Sequence, residues 1–98
     1  PGLNPTAEMV LKEVSAFYSV PADKITGKAQ NKEVVLARKV ASYLMRELCS
    51  MSYPEIGKIL NRDHTSVIYG VETLTKTMTK DESLRDAVSD MKKNIQSL

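Results

Sequence analysis

The chain has 98 residues, with 14 lysines and arginines against 12 aspartates and glutamates, and its formal net charge is +2. That length fits a single small domain. One cysteine excludes an intramolecular disulfide framework, and the longest apolar run, Val34–Ala37, is too short for a signal peptide or for a membrane-spanning helix of roughly 20 residues. We therefore predict a small cytoplasmic domain. A pI near 8.8 is compatible with nucleic-acid binding without requiring it, since basic domains of that kind typically exceed about 9.

The first part of the chain predicts a linker, a helix and a single helical turn. Residues 1–5 contain two prolines and a glycine and indicate a linker end or a cloning remnant. Apolar residues spaced by four and three then predict an amphipathic helix over residues 6–18. Its expected core residues are Val10, Val14 and Phe17. Pro21 suits the start of a single turn over residues 21–25, which Gly27 ends.

A polar loop and a long helix come next. Residues 28–32 are polar and have no periodicity, so they predict a loop in which Asn31 is the N-cap of a helix over residues 32–49. The apolar side of this helix forms one stripe. The stripe consists of Ala37, Val40, Ala41, Leu44 and Leu48. Lys39 and Arg46 project from the opposite side.

Two short helices joined by a tight connection predict a helix-turn-helix. A capping-box motif at Ser52 opens a helix over residues 52–60. Asn61 tolerates the left-handed backbone of a tight connection, and Asp63 caps the next helix, over residues 63–77. The expected core residues of the two helices are Ile56, Ile59, Leu60, Val67, Val71, Leu74 and Met78.

The final helix has the cleanest pattern in the chain. Its apolar residues step by four, three, four and three, as expected of a core-facing helix. They are Leu84, Val88, Met91, Ile95 and Leu98. We find no segment with convincing strand alternation and no internal repeat. The sequence therefore predicts an all-α helical bundle in one domain, residues 6–98.

The residue types required for catalysis or metal binding are sparse. His64 is the only histidine and Cys49 the only cysteine, whereas a structural zinc site needs four ligands. We interpret Cys49 as a small buried hydrophobe. Gly27 and Lys28 lack the remaining spacing of a phosphate-binding loop. Without a nucleophile–base pair or a metal-ligand set, we predict that the domain is not an enzyme.

A polar segment opens the helix at 63–77. It consists of Arg62, Asp63, His64, Thr65 and Ser66. A recognition helix meets base edges in the major groove with its first turns, and these residue types can bond or contact bases. The residues alone also allow a simpler interpretation, in which Asp63 and Thr65 cap the helix and Arg62 and His64 form a solvated face.

The distribution of charge favours contact with nucleic acid. Residues 24–76 have a net charge of +4, residues 1–23 have −2, and residues 77–98 have zero. Positive charge is thus concentrated around the predicted helix-turn-helix, as expected of a surface that meets phosphates.

Three motifs resemble the C-terminal DNA-binding domain of the bacterial chromosomal replication initiator family, DnaA. They are A-R-K-V-A at residues 37–41, S-Y-P-E-I-G at residues 52–57, and R-D-H-T-S-V at residues 62–67. The resemblance extends from Thr6 to the final helix. It implies a Trp-repressor-like helical fold that binds double-stranded DNA at the DnaA boxes of a replication origin.

The resemblance also implies roles for individual residues. Base contacts are implied for Pro54, Arg62, Asp63, His64 and Thr65. Phosphate contacts are implied for Lys28, Lys32, Arg38, Lys39, Arg46 and Ser66. Residues 28–32 correspond to a loop that reaches into the adjacent minor groove, where Gln30 replaces the arginine usual in the family. A neutral Gln brings no charge to the negative potential of that groove.

The resemblance places the ATP-binding module outside this chain, so no cofactor is expected here. The chain is then either an excised domain or a stand-alone relative. The residues leave open whether residues 6–18 also contact the ATP-binding module or acidic membrane lipid. They also leave two alternative functions open: a helix-turn-helix regulator or mobile-element protein that binds DNA, and a helical protein-interaction module that docks a partner at residues 62–66.

Overall fold

In the computed structural model, which describes residues 4–97, the chain forms a bundle of six helices without a strand in that range. The helices are α1 (Ala7–Tyr18), α2 (Ala22–Ile25), α3 (Lys32–Leu48), α4 (Tyr53–Leu60), α5 (His64–Met78) and α6 (Glu82–Gln96). The predicted all-α fold is confirmed, and the bounds predicted for α1 to α5 agree to within one residue. No helix in the described range is long and apolar enough to cross a membrane.

The core is built around α3, which contacts each of the other five helices. Its residues Ala37, Val40 and Leu44 are fully buried, and their partners are the predicted stripes of the surrounding helices. Those buried partners are Val10, Val14, Ile56, Leu60, Val67, Val71, Leu74, Leu84, Val88, Met91 and Ile95. Leu48 and Met78 are half-buried at its edge. Leu98, the last residue of the predicted α6 stripe, lies outside the described residues.

Two residues predicted to be in the core are exposed, so these predictions were wrong. Phe17 is 41% exposed because it lies in the last turn of α1 beside an open groove rather than beneath another helix. Ile59 is 39% exposed. The buried side of α4 includes Gly57, and this displaces the buried stripe away from Ile59.

A close approach between α4 and the start of α5 forms the helix-turn-helix. Asn61 adopts the predicted left-handed conformation, with φ 55° and ψ 45°, and the main-chain N–H of Arg62 donates to the Gly57 carbonyl at 2.8 Å. A Cβ on Gly57 would lie 2.6 Å from the carbonyl oxygen of Arg62. The turn therefore requires glycine at position 57.

Side chains cap α4 and α5 as predicted, whereas the cap of α3 differs. Ser52 and Glu55 form the capping box of α4, with the Ser52 N–H donating to Glu55 Oε1 at 2.9 Å. This bond is the main cause of the lowered pKa of Glu55. Asp63 accepts a bond from the N–H of Thr65. Asn31 stands at the N-cap of α3, but its side chain bonds Glu33 and not a main-chain N–H.

A buried arginine holds the connection between α2 and α3. Arg38, on α3, is only 8% exposed. Its Nε donates to the carbonyl of Ile25 at 2.8 Å, and its Nη2 lies 3.0–3.1 Å from three further carbonyls. These belong to Lys24, Gly27 and Ala29. Burial and, secondly, the charge of Arg62 lower the pKa of Arg38, yet a guanidinium stays protonated at neutral pH.

We predict that Gly57→Ala lowers the free energy of unfolding by about 1–3 kcal/mol, because the added Cβ would overlap a main-chain oxygen. Gly70→Ala is the matched control. A Cβ at Gly70 would meet only the flexible Lys39 side chain, at 3.4 Å, and alanine is favoured over glycine within a helix. Urea denaturation measures both, and equal stabilities for the two variants would contradict this account of the turn.

We also predict that Arg38→Gln lowers the free energy of unfolding by about 1–3 kcal/mol, since inward-facing carbonyls lose their donors. Trypsin should then cut faster after Lys28, in the connection that Arg38 holds. The control is Lys39→Gln, which removes the same charge one residue along the helix and should change stability by less than about 0.5 kcal/mol. Equal effects of the two variants would show that charge, and not the carbonyl bonds, accounts for the result.

Candidate nucleic-acid interface

The polar start of α5 is on the surface. His64, Thr65 and Ser66 are exposed, and they occupy the first turn of the helix. Oδ1 of Asp63 accepts a 3.3 Å bond from the N–H of Thr65 and lies 3.4 Å from Nδ1 of His64. Asp63 therefore caps the helix while residues 63–66 present donors and acceptors to solvent, so the simpler interpretation of this segment does not exclude the functional one.

Arg62 does not share this outward direction. It is half-buried, and its Nη2 donates to the carbonyl of Gly27 at 2.7 Å. Its Nε is buried and makes no hydrogen bond within the described structure. Arg62 and Arg38 thus converge on one carbonyl oxygen, and their charges lie close enough to influence each other.

The segment 26–31, here called the α2–α3 loop, lies against the turn between α4 and α5. Nδ2 of Asn61 donates to the carbonyl of Thr26 at 3.1 Å, next to the bond from Arg62 to Gly27. Lys28 and Gln30 are exposed. The loop predicted to reach the minor groove is therefore fixed beside the start of α5.

A groove of about 370 Å³ lies between the α2–α3 loop, α3 and α5. Gln30, Lys39 and Ser66 line it, together with the half-buried Arg62. Tyr69 also lines this groove and is 69% exposed. The prediction of site residues missed Tyr69, although its position four residues after Thr65 places it on the same helix face.

A second, shallower groove lies between α4 and the start of α5. Pro54, Asp63 and His64 line it, so the structure brings together three residues for which the resemblance implies base contacts. Lys58 lies in the same groove and is exposed. The prediction of site residues omitted Lys58, whose signal was its position one turn after Pro54. Arg62 borders both grooves.

Arg46 and Lys32 lie apart from these grooves. Arg46 is exposed, its Nη1 donates to the carbonyl of Met51 at 3.0 Å, and its guanidinium stacks on the Tyr53 ring at 4.3 Å. It therefore supports the connection between α3 and α4. Lys32 is exposed at the first residue of α3, directly after the α2–α3 loop.

Metal binding and thiol reactivity are the other chemistries that side chains of residues 4–97 could offer. No three histidine, cysteine, aspartate or glutamate side chains in this range are grouped so that they could hold a metal ion. Cys49, predicted to be a small buried hydrophobe, is half-buried and packs against the core, and burial raises the pKa of its thiol. A raised pKa lowers the thiolate fraction, and therefore the reactivity, of a cysteine.

Comparison with known proteins identifies the family. The family model described as the bacterial DnaA protein helix-turn-helix matches residues 7–74. The chromosomal replication initiator proteins DnaA of Deinococcus deserti and Deinococcus radiodurans are 37% and 39% identical to this chain. The matches cover 91% and 89% of this chain but 20% and 19% of those proteins. The chain thus spans about a fifth of the length of these relatives.

Solved structures show the same fold. The AMPPCP-bound DnaA of Aquifex aeolicus matches with a TM-score of 0.79 and 27% identity, over 93% of this chain and 27% of that one. A crystal structure of a DNA replication initiation factor matches with a TM-score of 0.82 and 29% identity, over 91% of this chain and 27% of that one. From the matched residues, the identities and the shared fold, this chain belongs to the family of bacterial DnaA helix-turn-helix domains.

Proposed function

We propose that this domain binds double-stranded DNA in a sequence-specific manner at the DnaA boxes of a replication origin. The observation that carries the proposal is the exposed polar first turn of α5, residues 63–66, with the α2–α3 loop fixed beside it. A helix start and an adjacent loop can occupy neighbouring grooves of one duplex. Initiation of chromosome replication is then the activity of a longer protein that contains this domain.

Asp63, His64 and Thr65 are the proposed base readers. Thr65 can pack its methyl group on thymine, and the carboxylate of Asp63 can accept a bond from the amino group of cytosine. Asp63 retains acceptor capacity for this while it caps α5, because an ionised carboxylate has about four lone-pair sites. Pro54, at the start of α4, would lie against the wall of the major groove of the DNA.

Phosphate contacts are assigned to basic and hydroxyl groups around the first groove. Ser66 lies near the positive N-terminal end of the α5 dipole, which favours an anion, and Lys39 lines the same groove. Lys28 lies in the α2–α3 loop, and Lys32 directly follows it. Tyr69 joins this set, since its exposed hydroxyl can donate to phosphate or sugar oxygens.

Of the three arginines to which the resemblance gives a DNA contact, two receive another role and Arg46 keeps its own. Arg38 is buried and its donors bond carbonyls, so we assign it to positioning the α2–α3 loop in place of a phosphate contact. Arg62 joins it through Gly27 and is assigned the same role instead of a base contact. Arg46 bonds Met51 through Nη1 and keeps further N–H donors, with which it can still bind phosphate.

Other partners are ranked by the charges of this domain. The ATP-binding module of the same protein is a proposed neighbour, and the nucleotide would bind there rather than here. Acidic membrane lipid is disfavoured for α1, because that helix carries Glu8 and Glu13 against Lys12, whereas helices that bind anionic lipid are rich in lysine and arginine.

We expect the domain to prefer a labelled duplex with a DnaA box over a scrambled duplex at moderate salt, measured by fluorescence anisotropy. Thr65→Ala should weaken binding to the box alone, by about 1–3 kcal/mol. Thr77→Ala, the same change at the exposed end of α5, is the control and should have no effect. Equal loss on box and scrambled DNA for Thr65→Ala would contradict base reading. Absence of any preference in the wild type would instead favour the protein-interaction alternative.

Salt dependence separates phosphate contacts from base contacts. Lys39→Gln should weaken binding to every duplex alike and reduce the slope of log K against log salt by about 0.9, the value of one phosphate contact. Arg38→Gln should leave that slope unchanged if its guanidinium does not touch phosphate. A reduced slope for Arg38→Gln would restore the contact implied by the resemblance.

We expect Gln30→Arg to tighten binding to boxes with A·T-rich flanks several-fold, because the narrow minor groove of such sequences attracts a cation. Gln30→Lys adds the same charge without the planar guanidinium and tests how much of the gain is charge alone. Competition assays with A·T-rich and G·C-rich flanks measure both. Unchanged affinity would show that the α2–α3 loop does not enter the minor groove.

A further inference from the structure

Asn61 has a role beyond the turn in which it lies. We propose that Asn61 is a positioning residue that holds the α2–α3 loop in a fixed relation to the start of α5, so that loop and helix engage one duplex in a single register. Its side chain bonds a main-chain carbonyl 35 residues away in sequence. The DNA part of this inference rests on the proposed function, whereas the contact between turn and loop is a property of the protein alone.

The conformation of the α2–α3 loop depends on side chains from elsewhere. Within the described structure, no main-chain N–H of residues 28–31 donates to another main-chain group. Carbonyls in and just before the loop instead accept bonds from Arg38, Arg62 and Asn61. Side-chain donors therefore replace the ladder of hydrogen bonds that holds regular structure.

The three donors tie the loop to different parts of the bundle. Arg38 ties it to α3, whereas Asn61 and Arg62 tie it to the turn that leads into α5. Arg62 also bridges both grooves of the candidate interface, so a change there would disturb several contacts. Asn61 is exposed, and the bond from its Nδ2 to Thr26 is the only side-chain bond that the described structure gives it. A substitution of Asn61 therefore changes the contact between the loop and the turn with the fewest other effects.

The left-handed backbone alone does not explain asparagine at this position. Glycine adopts φ 55° without strain but brings no side-chain donor. Aspartate also tolerates this conformation but would set an acceptor against the carbonyl of Thr26. Asparagine satisfies both requirements, because its carboxamide supplies the N–H that the carbonyl accepts.

The fixed position of the loop lowers the entropic cost of binding DNA. A loop and a helix already in register lose less conformational freedom when both contact DNA than a mobile loop would. The bond from Asn61 therefore favours simultaneous contact by residues 28–30 and by the first turn of α5. Binding to random duplexes, which needs no single register, should depend on Asn61 much less.

The test compares Asn61→Gly with Ser19→Gly in the 98-residue chain. Ser19 ends α1 with φ 55° and ψ 42°, nearly the conformation of Asn61, so the control introduces glycine at an equivalent left-handed helix end. Two measurements without DNA report on the loop: NMR order parameters of residues 28–30 and the rate of tryptic cleavage after Lys28. Anisotropy with box and scrambled duplexes then reports on binding.

For Asn61→Gly we expect lower order parameters in the loop and cleavage after Lys28 that is about 2- to 10-fold faster, as the loss of one hydrogen bond implies. Affinity for the box should fall several-fold while affinity for scrambled DNA is retained. Asn61→Asp should behave like Asn61→Gly, and Ser19→Gly like the wild type. This pattern separates lost positioning from general loss of stability, which would affect both glycine variants.

Two results would overturn the inference. Order parameters and cleavage equal to those of Ser19→Gly would show that Asn61 does not hold the loop. A loosened loop with unchanged box affinity would show that its position does not matter for binding. Lack of box preference in the wild type would contradict the proposed function instead, and the two measurements without DNA would still decide whether Asn61 holds the loop.

Discussion

The bonds from the buried guanidinium of Arg38 to four main-chain carbonyls are the interaction on which the candidate interface depends. An irregular loop exposes carbonyls that no helix or sheet satisfies, and such groups are costly to bury without donors. A guanidinium offers five donors on one rigid plane. Its burial carries a desolvation cost, which charge-assisted bonds to the carbonyl dipoles offset. The α2–α3 loop thus obtains a defined position without secondary structure of its own.

Further contacts connect the α2–α3 loop, held by Arg38, to the start of α5. The close approach at Gly57 sets the start of α5 against α4, and Asn61 and Arg62 join that start to the loop. The elements proposed to enter the major and minor grooves therefore share one rigid support. Changes in the support should alter specificity even when every DNA-contacting side chain is intact, because productive contacts require a fixed geometry.

Much of this fold follows from sequence patterns, whereas the division of roles among the basic residues does not. Apolar spacing predicted the helices, and capping residues such as Ser52 and Asp63 predicted where they begin, since both signals are local. The exposure of Phe17 and Ile59 was not predicted, because it depends on which neighbouring elements cover each helix. Arg38 and Lys39 are adjacent and carry the same charge, yet only Arg38 faces inward. Its partners are main-chain carbonyls 9 to 14 residues earlier. Because every residue type has a main-chain carbonyl, the sequence does not reveal these partners.

These placements change the meaning of the net charge of +2. With Arg38 and Arg62 directed at carbonyls, the exposed positive charge near the grooves comes mainly from lysines, among them Lys28 and Lys58. Within residues 4–97 no carboxylate lies within ion-pair distance of a lysine, the one short contact of a carboxylate with a basic side chain being that between Asp63 and His64, so acidic side chains do not neutralise these lysines by direct contact. Phosphates can therefore meet them without first breaking salt bridges. A domain of nearly balanced charge can in this way keep a locally basic surface, while the proposed base contacts come from the first turn of α5.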